Sequence, residues 1–548
     1  NSTDPRHNGA PANAEYNAGA GGDISMWPTS MGMVATFDSE LMREFGHIAA
    51  KEYRAMGIAT ALSPQVDLPS EPRWNRFYAT MGEDPTLAAD MTRAYCDGFQ
   101  TSFGDDVYGK AKSGWGKASV NAMVKHWPGG GTCEAGRDAH FGFGKYAVYP
   151  GNNFEEHLLP FTQGALQLDG PTSSAAAIMP YYTISYGIDP SGENVANGYS
   201  RYIITDLLRE KYGFNGVVCT DWIITADNPS VETMNGKPWG VEHLSVEERH
   251  FQAIYAGCDQ FGGNDDKQPI LAAFQIWCQR FGRESAEQRF RESAQRLLLN
   301  FFRVGVFENP YVDPHYTAQI VGCDKFVAEG YDAQLKSIVM LKNHQQVLPI
   351  AKGAKVYFPK RYYPASIAFF GRNKPAIPHY DWQIDTAVIN QYYQFTDDPE
   401  EADFALLYIY TPEGNWGYSE KDVQQGGTGY VPISLQYEDY TATHARSVSI
   451  AGGDSKESFT NRSYLGKSDY SYNRQDMLQV IETKKLMGDK PVIVLVQAAR
   501  PFIPAEIEPH TDGLLLGFGI KDEAYLDILC GDAEPYGLLP MQLPKDMQ

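Results

Sequence analysis

Long apolar runs are missing from this sequence. None approaches the ~20 residues needed to cross a bilayer, so no membrane partner is expected. Cysteine is sparse. The seven cysteines (96, 133, 219, 258, 278, 323 and 530) are scattered, odd in number and without a CxxC pair, which suggests neither a disulfide framework nor a zinc site. No metal or cofactor is expected. Basic residues are outnumbered, with 46 Lys+Arg against 68 Asp+Glu and a net charge of −22. That balance disfavours nucleic acid and anionic surfaces as partners. No internal repeat, low-complexity tract or signal peptide is visible. The chain does not begin with Met, so a removed leader stays open, and the compartment is left unassigned with a secreted or periplasmic one slightly preferred.

What is present is enough apolar material for large cores, 43% of 548 residues, and an aromatic share of 13% that includes 34 Tyr. Aromatic faces suit sugar rings, although they suit plain cores equally well. Short apolar runs at 58–62, 118–124, 175–179 and 217–219 read as buried strands. They alternate with helical patterns at 38–57, 84–103, 154–166, 200–209 and 246–256. The alternation predicts a parallel sheet closed as a (β/α)8 TIM-type barrel, with a first strand expected before Asn1. Polar residues recur just past each strand: Asp4, Asp67, Lys125 with His126, Tyr182, Asp221, and Asp259 in the strand-like end 257–261. In a barrel such positions converge on one mouth, where the chemistry sits. Helical segments at 281–306 and 326–342 and strands at 355–358, 404–410, 492–497 and 513–518 predict a second, α/β sandwich domain. Its irregular stretch 411–475 is long and Tyr-rich. A loop of that length is usually functional or an interface, and it could reach a second subunit of a homodimer.

Asp221 ends the run GFNGVVCTDW and is the candidate nucleophile. A carboxylate that attacks an anomeric carbon forms a glycosyl-enzyme, and a second carboxyl must protonate the leaving oxygen. Trp222 could flank the sugar ring. Lys125 and His126, with Arg76 and Asp4, could hold the hydroxyls of one terminal sugar by charge-assisted hydrogen bonds. Read individually, each would serve equally as one half of a buried ion pair.

The motifs KHWPGGG with the following GRD, SPQVDL, PRWNR, GEDP, MPYY, GFNGVVCTDW, AGCD, FENPYVDP, SIVMLKN with VLPI, and GLLPMQLP resemble glycoside hydrolase family 3. They occur in that family's order over nearly the whole chain. The resemblance implies an exo-acting retaining β-glucosidase that removes terminal β-D-glucosyl residues from substrates such as cello-oligosaccharides. It implies a barrel at 1–310, a linker at 311–325 and an α/β domain at 326–548. The family's nucleophile falls on Asp221 and its sugar-holding residues on Asp4, Arg76, Lys125, His126 and Tyr182. Its acid/base, a Glu from a second-domain loop, falls on Glu413, with Glu420 as runner-up, because the usual motif around it is absent. Ala79 and Gly130 also depart from the family pattern. A branch of N-acetylglucosaminidases uses an Asp-x-His dyad instead, and Asp138-Ala139-His140 has that form. Within the family, β-N-acetylglucosaminidase and β-xylosidase are the competing activities. Outside enzymes, the alternative is a carbohydrate-binding protein that lost its acid. Nothing follows Gln548 to supply the tail or third domain that many members of that family carry, which suggests a trimmed form of something larger.

Overall fold

A computed structural model describes residues 24–103, 114–369 and 372–548. The first unit is built on five parallel strands paired in chain order: β1 (Thr60–Ala61), β2 (Asn121–Trp127), β3 (Ala177–Pro180), β4 (Val217–Trp222) and β5 (Gln260–Gly262). Thr60 lies opposite Asn121, Met123 opposite Ala177, Ala177 opposite Val217, and Cys219 opposite Gln260. Strands that are neighbours both in sequence and in space, joined by helical crossovers, give the curled sheet of an α/β barrel. Two of the crossover helices show how the sequence fixes them. Helix α1 (Ser39–Ala55) begins at Asp38, whose carboxylate accepts from the Glu40 and Leu41 amides. Helix α2 (Pro85–Gln100) begins at Asp84 with proline in its first turn. These are the expected capping signals. The two helices meet backbone to backbone: a Cβ on Gly98 would stand 2.1 Å from the Arg43 carbonyl oxygen.

The second unit is a six-stranded sheet of β6 (Val339–Asn343), β7 (Lys355–Tyr357), β8 (Gln394–Thr396), β9 (Phe404–Tyr410), β10 (Val492–Gln497) and β11 (Gly513–Gly517). The spatial order is β8-β7-β9-β10-β11-β6, and only β6 runs antiparallel to its neighbour. Strand β10 explains its own apolar run. Val492, Val494 and Val496 bury against Met477 and Val480 on one face, and Ile493 and Leu495 against Leu515 and Leu526 on the other. A parallel strand covered on both faces has no polar side to show.

Several expectations are corrected here. The helix expected over 326–342 is a helix at Asp324–Lys336 followed by β6, because pairing with β11 overrides the helical pattern of that apolar run. Asp259 is not at the mouth. It precedes β5, accepts from the Val218 amide at 3.1 Å, and pairs with Arg209, Arg296 and Arg289 at 2.6, 3.0 and 3.3 Å. It fastens outer helices to the opposite end of the sheet. The stretch 311–325 contains a helix (Pro314–Ile320) whose Thr317 hydroxyl donates to the Ala55 carbonyl at the end of α1, so it is packed on the barrel. Asp4 lies outside the described residues.

The stretch 411–475 folds over the mouth of its own barrel. Lys145 of the barrel pairs with Asp454 at 2.8 Å and with Glu242 at 3.0 Å. Arg73 donates to the Tyr464 hydroxyl at 2.6 Å, and Glu134 accepts from the Ile450 amide at 2.6 Å. Arg500 of the second unit donates to Asn75 at 2.9 Å and to the Arg73 carbonyl at 3.2 Å. No helix among the described residues is long and apolar enough to cross a membrane.

Candidate active site

Strand β4 delivers Asp221 at its carboxyl end. One oxygen, Oδ1, accepts from the Trp222 amide at 2.7 Å. The other, Oδ2, is buried and has no hydrogen-bond partner among the described residues. His126 Nε2 stands 3.7 Å from it, and the Tyr182 phenol lies beside the same carboxylate, which together with burial raises the phenol's pKa. Oδ2 therefore faces polar groups rather than packed hydrocarbon, and the side chain keeps 11% exposure.

His126 comes from β2, and its ring is set by Asp67 of the loop after β1. Asp67 Oδ2 lies 2.8 Å from His126 Nδ1, and Oδ1 accepts from the Gly130 amide at 2.5 Å. Burial holds the imidazole below its ordinary pKa. Burial also opposes the Asp67 charge, but His126, Arg76 and the Gly130 amide outweigh it and hold that carboxyl below its usual range. A neutral His126 then donates from Nδ1 to Asp67 and presents Nε2 as an acceptor. Arg76 supplies the donor, at 3.3 Å, while the same guanidinium nitrogen bonds Gln65 at 2.8 Å. Arg76 Nη1 is buried without an acceptor among the described residues, and the group sits over the Trp74 and Tyr181 rings. Gly130, a departure from the family pattern, is explained by space: a Cβ there would stand 2.5 Å from the Tyr181 ring and 3.0 Å from Asp67.

The loop after β2 contributes Asp138 and His140. Asp138 Oδ2 accepts from Trp74 Nε1 at 2.9 Å and the Tyr181 hydroxyl at 3.1 Å. Asp138 Oδ1 takes the His140 amide at 3.0 Å and His140 Nδ1 at 2.5 Å. The Asp-x-His pair is thus assembled, with the His140 ring 4.9 Å from the Tyr182 ring. Trp222 is 44% exposed, and its indole lies across Gly262, where a Cβ would approach it to 2.4 Å. Lys125 shares the end of β2 with His126. Its amide donates to Pro64 and its carbonyl accepts from Val66.

From the second domain, Glu413 follows β9. Its amide donates to Asn473 Oδ1 at 2.8 Å. Burial raises its carboxyl; Arg361 and Arg500 oppose the rise and Asp476 adds to it. Arg500 also holds the preceding carbonyl, that of Pro412, at 2.9 Å, which ties this loop to the Arg73–Asn75 segment of the barrel. Glu420 is exposed at the start of a short helix, Glu420–Gln424. It lines a cavity of about 300 Å³ with Phe143, Glu232, Trp416, Tyr418 and Asp469.

The structure therefore gathers Asp221, Arg76, His126, Tyr182 and Trp222 as the sequence led us to expect. It adds Asp67, Trp74 and Tyr181, which orient them. Lys237 is a further member that sequence reasoning missed. It belongs to the insertion after β4, is 3% exposed, and places its ammonium 4.9 Å over the Tyr182 ring. The only available signal was a lysine beside Pro238 and Trp239 in an otherwise polar insertion.

With an acid at the mouth of an α/β barrel and a second α/β domain closed over that mouth, the chain is built as a glycoside hydrolase. Residues 13–298 match the glycosyl hydrolase family 3 N-terminal domain and residues 338–548 the C-terminal domain, and the chain belongs to that family. It is 35% identical over 550 residues to beta-glucosidase C of Emericella nidulans, covering all of this chain and 74% of that protein. It is 33% identical to a periplasmic beta-glucosidase/beta-xylosidase of Dickeya chrysanthemi, covering 96% of this chain and 70% of that one. A beta-glucosidase from Listeria innocua, solved with isofagomine, has the same fold at a TM-score of 0.69 and 17% identity. That match covers 98% of this chain and 65% of the Listeria chain.

Proposed function

We propose that this chain is an exo-acting, retaining β-glucosidase that hydrolyses terminal β-D-glucosyl residues of oligosaccharides. The observation that carries the reading is the buried Oδ2 of Asp221, which has no hydrogen-bond partner among the described residues and stands 3.7 Å from His126 Nε2. A nucleophile needs one oxygen left available, and here the other is already occupied by the Trp222 amide. Arg76 and His126 then bind hydroxyls of the same sugar, with Lys125 and Asp4 beside them in the family pattern, and Trp222 offers an exposed ring face beside it. The names borne by the Emericella and Dickeya relatives support a glucoside and admit a xyloside. The functional units are the barrel at 1–310, the connection at 311–325 and the second domain at 326–548.

Glu413 is the acid/base in this reading. Its carboxyl is raised mainly by burial, the state a general acid requires near neutral pH. A second reading has its own observation: Asp138 and His140 already form the dyad that could transfer the proton, with His140 against Tyr182. A homodimer through the stretch 411–475 is a separate proposal, and light scattering at working concentration tests it directly. The nucleophile is tested with a 2-fluoro-glucoside that traps the covalent intermediate. Peptide mapping should place the adduct on Asp221, and Asp221→Asn should neither trap nor turn over. An adduct on another residue overturns the assignment.

A further inference from the structure

The insertion that follows the nucleophile strand, residues 223–245, is closed on itself more tightly than a solvated loop needs to be. The Asn228 amide donates to the Thr233 and Gly236 carbonyls, both at 3.1 Å. A Cβ on Gly236 would stand 1.7 Å from the Ala226 carbonyl oxygen, so only glycine permits that approach. The Lys237 amide donates to the Ile224 carbonyl at 3.2 Å. Trp239 is fully buried and donates to the Ala139 carbonyl of the loop that carries His140. Every one of these contacts fixes where Lys237 sits.

The Lys237 ammonium donates once, to the Met234 carbonyl at 2.6 Å. An ammonium has three donors, and no other hydrogen bond of this one is found among the described residues. It lies over the Tyr182 ring, on the side of the pocket where Tyr182 borders Asp221. A buried ammonium with donors left over is costly unless an acceptor meets them. The acceptors that belong in this pocket are the oxygens of a sugar.

We propose that Lys237 is a substrate-contacting residue that donates a hydrogen bond to one hydroxyl of the terminal sugar, so that the insertion 223–245 helps set which sugar the barrel accepts. The proposal rests on the hydrolase reading above. Two neighbouring charges, those of Asp221 and Asp138, favour the protonated ammonium, while burial lowers its pKa to about 8. The cation therefore persists at neutral pH. A lysine kept only to close the loop would lower the stability when replaced, whereas replacing a poorly solvated charge by an apolar chain of similar length is neutral or stabilising.

The test compares wild type with Lys237→Met and Lys237→Gln on nitrophenyl β-D-glucoside and on its monodeoxy analogues, each lacking one ring hydroxyl. Both variants should lose roughly ten- to hundredfold in kcat/KM on the parent substrate, the range for a hydrogen bond from a charged donor. On a single analogue the variants should lose nothing further, which identifies the hydroxyl that is held. The melting temperature of Lys237→Met should equal or exceed that of wild type. An equal loss on every analogue, or no loss on the parent, overturns the proposal while leaving the hydrolase standing. Wild type inactive on every nitrophenyl glycoside overturns the hydrolase reading, and Lys237's role with it.

Discussion

Asp67 is the residue whose replacement most directly probes how the pocket is held. It touches no sugar in our reading, yet it fixes the tautomer of His126. In Asp67→Ala, three donors lose their acceptor: His126 Nδ1–H at 2.8 Å, the Gly130 amide at 2.5 Å and the His126 amide at 3.3 Å. All three are buried, and each unmet donor costs about 1–3 kcal/mol, so the variant should be about 3–9 kcal/mol less stable to urea. Asp67→Asn is more informative. If the amide oxygen keeps the Gly130 bond, its NH2 faces His126 Nδ1, which must become an acceptor. The proton then moves to Nε2, which turns from an acceptor for Arg76 at 3.3 Å into a competing donor. That N–H is also within reach of the Asp221 oxygen 3.7 Å away. The nucleophile would be partly occupied in the ground state, and Arg76 would lose an acceptor. We expect Asp67→Asn to be more stable than Asp67→Ala and still at least roughly tenfold down in kcat/KM, the effect of one misdirected hydrogen bond. Nitrogen-15 NMR of the His126 ring should show the exchanged tautomer. An Asp67→Asn protein with wild-type kcat/KM and an unchanged ring would refute the reasoning.

The proton donor is separable by leaving group. Glu413→Gln should lose roughly 10²–10⁴ in kcat/KM on cellobiose and little on a dinitrophenyl glucoside, whose leaving group needs no proton. If His140→Ala shows that pattern and Glu413→Gln does not, the dyad transfers the proton. Asp469 gives a pH test of stability. Burial pushes its carboxyl up to about 6, against hydrogen bonds from Asn415 and Ser434. Folding such a group costs nothing below about pH 4, where both states are protonated, and most above pH 6, where both are ionised. Urea titrations should therefore show Asp469→Asn gaining on wild type as pH rises from 4 to 7, by up to about 3 kcal/mol for a two-unit shift. A difference that does not change with pH would count against it.

The parts of this architecture that follow from local rules could be read in the chain. Strands β2, β4, β9 and β10 are short apolar runs, and helices α1 and α2 carry their own caps at Asp38 and Asp84. Asp221 was legible for the same reason, since a carboxylate directly after a buried run has little choice but the end of a strand. Asp259 looked identical in the sequence and proved to stand before its strand, because the apolar signal there came from the helix side of the turn. Periodicity cannot tell those two cases apart when the strand is three residues long.

The residues that were not legible share a different cause. Lys237 and Asp469 lie in polar stretches with no period, so nothing in their neighbourhood announces burial. They become buried only when distant stretches of chain fold against them, Tyr182 against the Lys237 ammonium and Asn415 and Ser434 against the Asp469 carboxylate. A charge in such a stretch reads as solvated until the closure is known, and the closure depends on contacts between residues hundreds of positions apart, such as Lys145 with Asp454 and Arg500 with Asn75. Glu413 is a candidate acid because burial raises its carboxyl, and Arg500, which holds the Pro412 carbonyl, ties its loop to the barrel at Asn75. A variant that weakened the seam without touching the pocket would let water back to Glu413, lower its pKa, and move the alkaline limb of kcat/KM to lower pH. Asp454→Asn, which removes one of the two counter-charges of Lys145, is that variant. An alkaline limb that stays where it was would separate the acid from the seam.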